Sequence, residues 1–258
     1  MSTFNEATQQ AAINLCLSIA DDKLFLGHRN SNWTGIAPIL EADIAFSSLA
    51  QDDIAHASAI YELVGSLMGD SADDIAYGRK PDAYLCADIV TKDDGFDWAN
   101  AIARQFYCNH FDLLRFERLS NSSWSELAAL CKRLVVEQHI QVNHINDWVM
   151  QLATGTTESK EKIAHALNEY ANEASMMFET PYGFELLIED GIVNSSSDIF
   201  DAWHKRVSEQ FNRAGIEIEV KQRSVDAQGG RSGIHSEDFN ESLRELQAVY
   251  REDPTAAW

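Results

Sequence analysis

Apolar residues recur every three or four positions along most of this chain, a pattern that predicts long amphipathic helices. The segment Ala20-Asp21-Asp22 could divide the first of these helices into two pieces, and residues 215–220 could be briefly extended. Residues 228–233 are expected to form a loop. The predicted helices cover about 6–32, 38–69, 97–119, 123–154, 157–178, 197–213 and 237–251.

Local signals mark several of these helix ends. Pro38 suits a first helical turn, where its missing N–H costs nothing. Asp97 is a good N-cap, and Ser123 with Glu126 forms a capping-box pattern. Glycine and proline in 70–94 predict a long connection with one or two short helical turns. A crossover of this kind joins the two halves of a ferritin-like bundle.

The predicted fold is therefore all-α, a ferritin-like four-helix bundle with additional C-terminal helices. No linker rich in proline, glycine or serine interrupts the 258 residues, which predicts a single ferritin-like helical domain over 1–258. Its core bundle would span about 6–154, and the C-terminal helices and loop would span about 155–258.

Composition narrows the classes of function. The net charge of −21, from 41 acidic and 20 basic residues, disfavours both nucleic acid and an anionic membrane as partners. Four widely spaced cysteines predict free buried thiols in a reducing compartment. The N-terminus has no signal-peptide pattern, and no run of about 18 apolar residues occurs. A cytoplasmic protein is expected.

The candidate chemistry centres on the sequence QDDIAH at 51–56. Asp53 and His56 lie at i, i+3 and Asp52 and His56 at i, i+4, so either carboxylate could lie beside the imidazole on one helix face. A di-iron bundle uses two such half-sites, each with a carboxylate three residues ahead of a histidine. The alternative is structural: a buried polar pair that fixes helix register, or an ion pair.

The fourth long helix lacks the matching half-site. Glu137 is followed three residues later by Ile140, and Gln138 by Gln141, so no acidic residue there precedes a histidine at the required spacing. Neutral amides are poor ligands for iron. Glu137 and His144 are two helical turns apart, so a shared metal is not expected, and His139 should face elsewhere.

Two further segments are candidate sites. Gly229, Gly230 and Arg231 could cradle a phosphate, but without P-loop spacing an interface loop is the preferred interpretation. The Met176-Met177-Phe178 cluster is interpreted as core or subunit interface rather than as a cofactor site.

Several segments, spread over essentially the whole chain, match a known family. They are LFLGHR at 24–29, Trp33, GIAPILEADIA at 35–45, IARQF at 102–106, GT at 155–156, GGRSGIHSE at 229–237 and Trp258. In these segments the chain resembles the C subunits of bacterial phenylacetyl-CoA epoxidases.

The resemblance implies a degenerate, non-catalytic scaffolding subunit of a monooxygenase complex in phenylacetate degradation. The expected partners are the catalytic di-iron A subunit, the other epoxidase subunits and an NADPH-dependent reductase, and a homodimer is left open. The di-iron centre is expected in the A subunit, with no cofactor in this chain. The face covered by the partner should be an exposed apolar patch on the isolated chain.

The resemblance also places vestigial ligand positions. Asp53 and His56 match ligands of the A subunit, whereas Lys23 and Gln105 stand approximately where it has carboxylates. Gln138 and Gln141 replace its fourth-helix glutamate and histidine. The hypothesis is that Lys23 and Asp53 form an internal ion pair in place of iron. C subunits usually have uncharged residues where this chain keeps Asp53 and His56, so weak binding of a single metal stays open.

Two rival interpretations remain. One is a stand-alone ferritin-like oxidase with an atypical metal site built on Asp53, His56 and Glu137. The other is an interaction protein of this lineage that serves another pathway.

Overall fold

The structure, a computed structural model, describes residues 4–194, 198–224 and 227–253. Over these residues it is all-α, with eleven α-helices, two 3₁₀ turns at Pro81–Ala83 and Gly230–Ser232, and no β-strand. The helices are α1 (Glu6–Ser31), α2 (Leu40–Met68), α3 (Ala72–Tyr77), α4 (Asp88–Thr91), α5 (Trp98–Leu119), α6 (Ser125–Thr154), α7 (Thr157–Met176), α8 (Phe184–Glu189), α9 (Ile199–Ala214), α10 (Glu237–Leu246) and α11 (Ala248–Glu252).

The described residues group into two compact units. Unit 1 comprises 4–92, 179–186 and 228–253, and unit 2 comprises 93–178, 187–194, 198–224 and 227. Residues 4–92 thus share a unit with α10 and α11. The single domain, with its core bundle over about 6–154 and its C-terminal part over about 155–258, stays a prediction.

Unit 1 is built on the hairpin of α1 and α2. Helix α1 is buried over most of its surface, with Phe25 and Leu26 fully inside. The Phe25 ring lies 5.8 Å from the ring of Tyr84 and 5.2 Å from that of Phe239 on α10. These aromatic contacts bury apolar area and fix α10 against the hairpin.

Unit 2 is built on α5, which packs against α6, α7 and α9. Tyr107 of α5 is fully buried, and its hydroxyl donates a hydrogen bond of 2.7 Å to the carbonyl of Leu167. The rings of Trp203 and Phe211 on α9 lie 5.8 and 6.2 Å from the Tyr107 ring. Burying both the apolar ring and a satisfied hydroxyl makes Tyr107 a strong anchor for this core.

Several predicted helix ends are confirmed. Asp97 caps α5, its side chain accepting a 2.8 Å hydrogen bond from the Ala99 amide. Helix α6 ends before Gly155, and Gly69 ends α2 in the left-handed conformation that glycine adopts readily. The connection between α2 and α5 contains α3, a 3₁₀ turn and α4, as predicted.

Other predictions at helix ends are wrong. Helix α1 runs unbroken through Asp21 and Asp22, because each carboxylate has an arginine partner inside the fold. Helix α2 begins at Leu40 after an Ile39 N-cap, so Pro38 precedes the helix. No capping box forms at the start of α6, since the Ser123 hydroxyl donates to the carbonyl of Asp190 instead.

The C-terminal region also differs from the prediction. The predicted helix over 237–251 divides into α10 and α11 at Gln247, whose amide donates to the carbonyls of Tyr77 and Arg79. Residues 216–220 lie outside helices and form no strand. The predicted loop contains the Gly230–Ser232 turn, and Trp258 lies outside the described residues.

Two predictions from composition are tested directly. All four cysteines are buried and free of disulfides, as predicted. Among the described residues, no helix combines the length and the apolar character that a membrane crossing requires.

Candidate functional site

A buried ion pair joins α1 to α2 in unit 1. The Lys23 ammonium donates a hydrogen bond of 2.8 Å to Oδ1 of Asp53, and neither side chain is exposed to solvent. The Asn30 amide donates to the other carboxylate oxygen, Oδ2, at 3.2 Å. This geometry confirms the predicted ion pair between Lys23 and Asp53.

The helical repeat explains why these groups converge. Lys23, Gly27 and Asn30 are spaced by four and three residues, so they lie on one face of α1. Gly27 is the point of close approach, where an added Cβ would lie 3.2 Å from the Cβ of Asp53 and 3.0 Å from the Ala50 carbonyl oxygen. Only glycine allows the α1 backbone this close to α2 without a shift.

His56 shares the inner face of α2 with Asp53. It lies three residues after Asp53 and has only 2 % of its surface exposed, whereas Asp52 is half-buried. Asp53 is therefore the carboxylate that pairs with a basic group in the interior. The spacing of Asp53 and His56 is that of one di-iron half-site, but the ammonium of Lys23 occupies one carboxylate oxygen.

Unit 2 contains a buried cluster of four amides. Gln105 and Gln138 both donate to Oδ1 of Asn109, at 2.9 and 3.1 Å. Gln138 also donates to Oε1 of Gln141 at 3.0 Å. The structure thus brings together the three glutamines that the sequence placed at vestigial ligand positions, with Asn109 at the centre of the cluster.

These residues do not fit a di-iron centre. Such a centre takes four carboxylates and two histidines, whereas unit 2 offers neutral amides and unit 1 offers one carboxylate already paired with an ammonium. In the part of the chain that the structure describes, no three side chains of His, Cys, Asp or Glu come together at metal-binding distance. What the arrangement does chemically is hold helices in register through buried, hydrogen-bonded polar groups.

The other polar residues of α6 lie apart from this cluster. His139 is exposed and 4.0 Å from Glu117, which confirms that it faces elsewhere. Glu137 and His144 are half-buried, and burial lowers the pKa of His144. Glu137 belongs to unit 2, and it joins no three-membered group of metal ligands among the described residues.

The glycine-rich loop is tied to the interior of unit 1. Gly230 and Arg231 are buried, and Arg231 donates to both carboxylate oxygens of Asp22 at 2.8 and 2.6 Å. Burial by itself would lower the pKa of Arg231, but the Asp22 carboxylate raises it overall. The guanidinium therefore forms its hydrogen bonds within this chain. An interface role of the loop stays a prediction.

For the Met176-Met177-Phe178 cluster the sequence indicates core or subunit interface, and the packing of this cluster within unit 2 supports the core. Met177 is buried, and the Phe178 ring packs 4.9 Å from that of Phe111 and 5.1 Å from that of Trp203.

Sequence reasoning missed Asn30, Asn109 and the two arginine partners of Asp21 and Asp22. Helical spacing could have revealed the asparagines, since Asn30 follows Lys23 by seven residues and Asn109 follows Gln105 by four. No local signal could have paired Arg79 with Asp21, because that contact spans 58 residues.

The long helices and the buried polar residues on them are consistent with an all-α, ferritin-like protein. The chain belongs to the phenylacetic acid catabolic protein family, whose model matches residues 1–258. It is 27 % identical over 243 residues to the C subunit of the 1,2-phenylacetyl-CoA epoxidase of Escherichia coli K12. That match covers 94 % of this chain and 97 % of the relative.

Proposed function

We propose that this chain is a structural, non-catalytic subunit of a multicomponent phenylacetyl-CoA epoxidase in aerobic phenylacetate degradation. It would support a partner that carries the di-iron centre. Family membership over the whole chain supports the pathway, and the similarity to the C subunit of the Escherichia coli epoxidase supports the subunit type.

The observation that carries the non-catalytic role is the filling of the ligand positions. The Lys23 ammonium lies 2.8 Å from the Asp53 carboxylate, and amides stand at 105, 138 and 141. Iron in such bundles is held by carboxylates and imidazoles. A chain with these substitutions contributes shape and surface to an oxygenase rather than the oxidising centre.

An apolar surface for a partner lies at the start of α2. We define the docking patch as Ile36, Ile39, Leu40 and Ile44, which are 55, 47, 69 and 63 % exposed. These four residues are close in sequence, and clustered exposed apolar side chains are typical of protein interaction sites. The patch agrees with the expectation that the partner-covered face is apolar on the isolated chain.

Local hydrogen bonds hold the docking patch in shape. The Gly35 amide donates to Oδ1 of Asp43 at 2.8 Å, and the hydroxyls of Thr34 and Ser47 lie 3.0 Å apart. The loop before α2 is therefore fixed to the first turns of the helix. A preformed surface loses less entropy when a partner binds than a flexible one does.

Charge and composition support a compartment and limit the further partners. We place the protein in the cytoplasm, where its four free thiols would stay reduced. The other epoxidase subunits and a reductase would complete the complex. The net charge of −21 argues against nucleic acid as a further partner.

The test is co-expression with the di-iron subunit encoded in the same genome, followed by native mass spectrometry and iron analysis. We expect a stable complex with iron in the partner, and phenylacetyl-CoA epoxidation only when the partner and a reductase are present. Two irons in the isolated chain, or turnover by the chain alone, would favour a stand-alone oxidase and overturn the proposal. So would a homodimer that never binds a di-iron subunit.

Variants test the docking patch separately. Leu40→Asp combined with Ile44→Asp should weaken the complex about tenfold or more, since a charge at the core of an apolar interface is poorly tolerated. Val249→Asp is the matched control, because Val249 is equally exposed but lies on α11. If Val249→Asp weakens the complex as much as the double variant does, the interface does not lie at the docking patch.

A further inference from the structure

One half-site keeps its carboxylate and its imidazole. Asp53 and His56 are both buried, three residues apart on α2, although the rest of the chain offers no matching ligands among the described residues. Each oxygen of Asp53 accepts a hydrogen bond, one from the Lys23 ammonium and one from the Asn30 amide. The Asp53 carboxylate thus shares the helix face of His56, but one cationic and one neutral donor hold its two oxygens.

The Lys23 ammonium and a metal ion would compete for the same oxygen. A first-row metal binds a carboxylate oxygen at about 2.0–2.2 Å. The Lys23 nitrogen lies 2.8 Å from Asp53 Oδ1, so an ion bound to this oxygen would lie within about 5 Å of the ammonium. Two cations beside one buried carboxylate repel each other strongly in a low-dielectric interior. Binding of metal would therefore require removal of the ammonium or its proton.

The backbone fixes the ammonium in this place. Gly27 brings α1 against α2 at Asp53, and Lys23 and Asn30 lie on either side of it along the same helix face. Lys23 is fully buried, and its ammonium donates to Asp53. The close crossing of the two helices makes Lys23 a fixed part of the site.

We propose that Lys23 is a built-in cation that excludes metal from Asp53 and His56, and that these two residues are competent to bind a single first-row transition metal ion once the ammonium is removed. The inference shares with the proposed function the premise that the native chain holds no iron. Its test uses the isolated chain, so it can fail while the complex still assembles.

The test is Co²⁺ binding by the full chain, followed by visible absorption and by metal analysis after gel filtration. Lys23→Glu should bind about one Co²⁺ per chain, at least about tenfold tighter than the wild type, because the new carboxylate adds a ligand and removes the competing cation. Lys162→Glu is the control, since Lys162 is exposed on α7. Adding His56→Gln to Lys23→Glu should abolish the tight binding.

Lys23→Gln covers the case in which an added carboxylate prevents folding, because the amide is neutral and can still donate to Asp53. It should also bind Co²⁺ more tightly than the wild type, and Co²⁺ should raise its melting temperature while leaving that of Lys162→Glu unchanged. Folded Lys23 variants that bind Co²⁺ no better than the wild type would overturn the proposal. Stoichiometric metal in the wild type, or Lys23 variants that stay unfolded even with Co²⁺, would overturn it as well.

Discussion

Arg231 donates two hydrogen bonds, of 2.8 and 2.6 Å, to the carboxylate of Asp22, although 209 residues separate them in the chain. Both side chains are buried in unit 1. The same guanidinium donates to the carbonyl oxygens of Ser18 and Leu85, each at 2.7 Å. One C-terminal side chain thereby fastens the glycine-rich loop to α1 and to the segment between α3 and α4.

Breaking this ion pair should destabilise the protein strongly. Arg231→Met is expected to reduce the free energy of unfolding by about 3–5 kcal/mol, because it removes the cation from a buried carboxylate. Urea denaturation followed by circular dichroism measures the change. The double substitution of Asp22→Leu with Arg231→Met should lose less than Arg231→Met does, since no buried charge remains. A single variant within about 1 kcal/mol of the wild type would contradict this view.

Gly27→Ala should destabilise the α1–α2 hairpin, against the helix propensity of the two residues. Propensity alone would make alanine more stable by about 1 kcal/mol. The added Cβ would, however, lie 2.8 Å from Cγ1 of Ile54 and 3.0 Å from the Ala50 carbonyl oxygen, and the backbone atom cannot move aside cheaply. We expect a net loss of about 1–3 kcal/mol in thermal or urea unfolding. A variant more stable than the wild type would show that the helices separate freely.

The amide cluster predicts different costs for two neighbouring glutamines. Gln138 donates to two acceptors, so Gln138→Met should cost about 2–3 kcal/mol. Gln141 only accepts a bond from Gln138, and its buried Nε2 has no acceptor within the described residues. Gln141→Met should therefore cost about 1 kcal/mol or less. Urea titrations of the two variants in parallel measure both losses in unfolding free energy. A loss in Gln141→Met that equals or exceeds that in Gln138→Met would rule out this hydrogen-bond network.

Buried His110 should make the stability fall in mild acid. Burial lowers its pKa from 6.5 to about 4, while its Nε2 lies 2.9 Å from Oδ1 of Asn146. Between these two values the unfolded chain binds the proton more readily than the folded one, so the contribution is complete above pH 6.5 and is lost progressively as the pH falls to about 4. The loss is about 3 kcal/mol, because one pKa unit corresponds to about 1.4 kcal/mol.

His110→Asn isolates this contribution. The difference in unfolding free energy between about pH 7 and about pH 4.5 should be clearly smaller in the variant than in the wild type. His165→Asn is the matched control, since the His165 side chain is 80 % exposed. An unchanged pH dependence in His110→Asn would assign the acid sensitivity to other groups, among them His28 and His235, whose pKa values burial also lowers.

Helix positions were predictable because helix formation follows a short-range pattern. The apolar spacing located α2, α5, α6 and α7 to within a few residues at each end. Errors arose where a distant group supplied what the local sequence lacks. Arg79 and Arg231 let α1 continue through Asp21 and Asp22, and the Asp190 carbonyl took the hydroxyl that was expected to cap α6.

The vestigial positions were predictable only in part. Resemblance to the family pointed to Lys23 and Asp53, and the structure confirms their ion pair. It did not reveal that Asn30 also donates to Asp53, nor that Asn109 accepts hydrogen bonds from both Gln105 and Gln138. Such partners depend on the distance between helices, which a pattern along one helix does not contain.

The sequence by itself determined the all-α class, the order of the long helices and the acidic, thiol-containing character of the protein, because these depend on composition and on contacts within one or two helical turns. The tertiary structure alone decided which polar groups are buried together. That choice depends on where backbones approach closely, as at Gly27, and on whether each buried charge finds an opposite charge far away in the chain, as Asp22 does in Arg231.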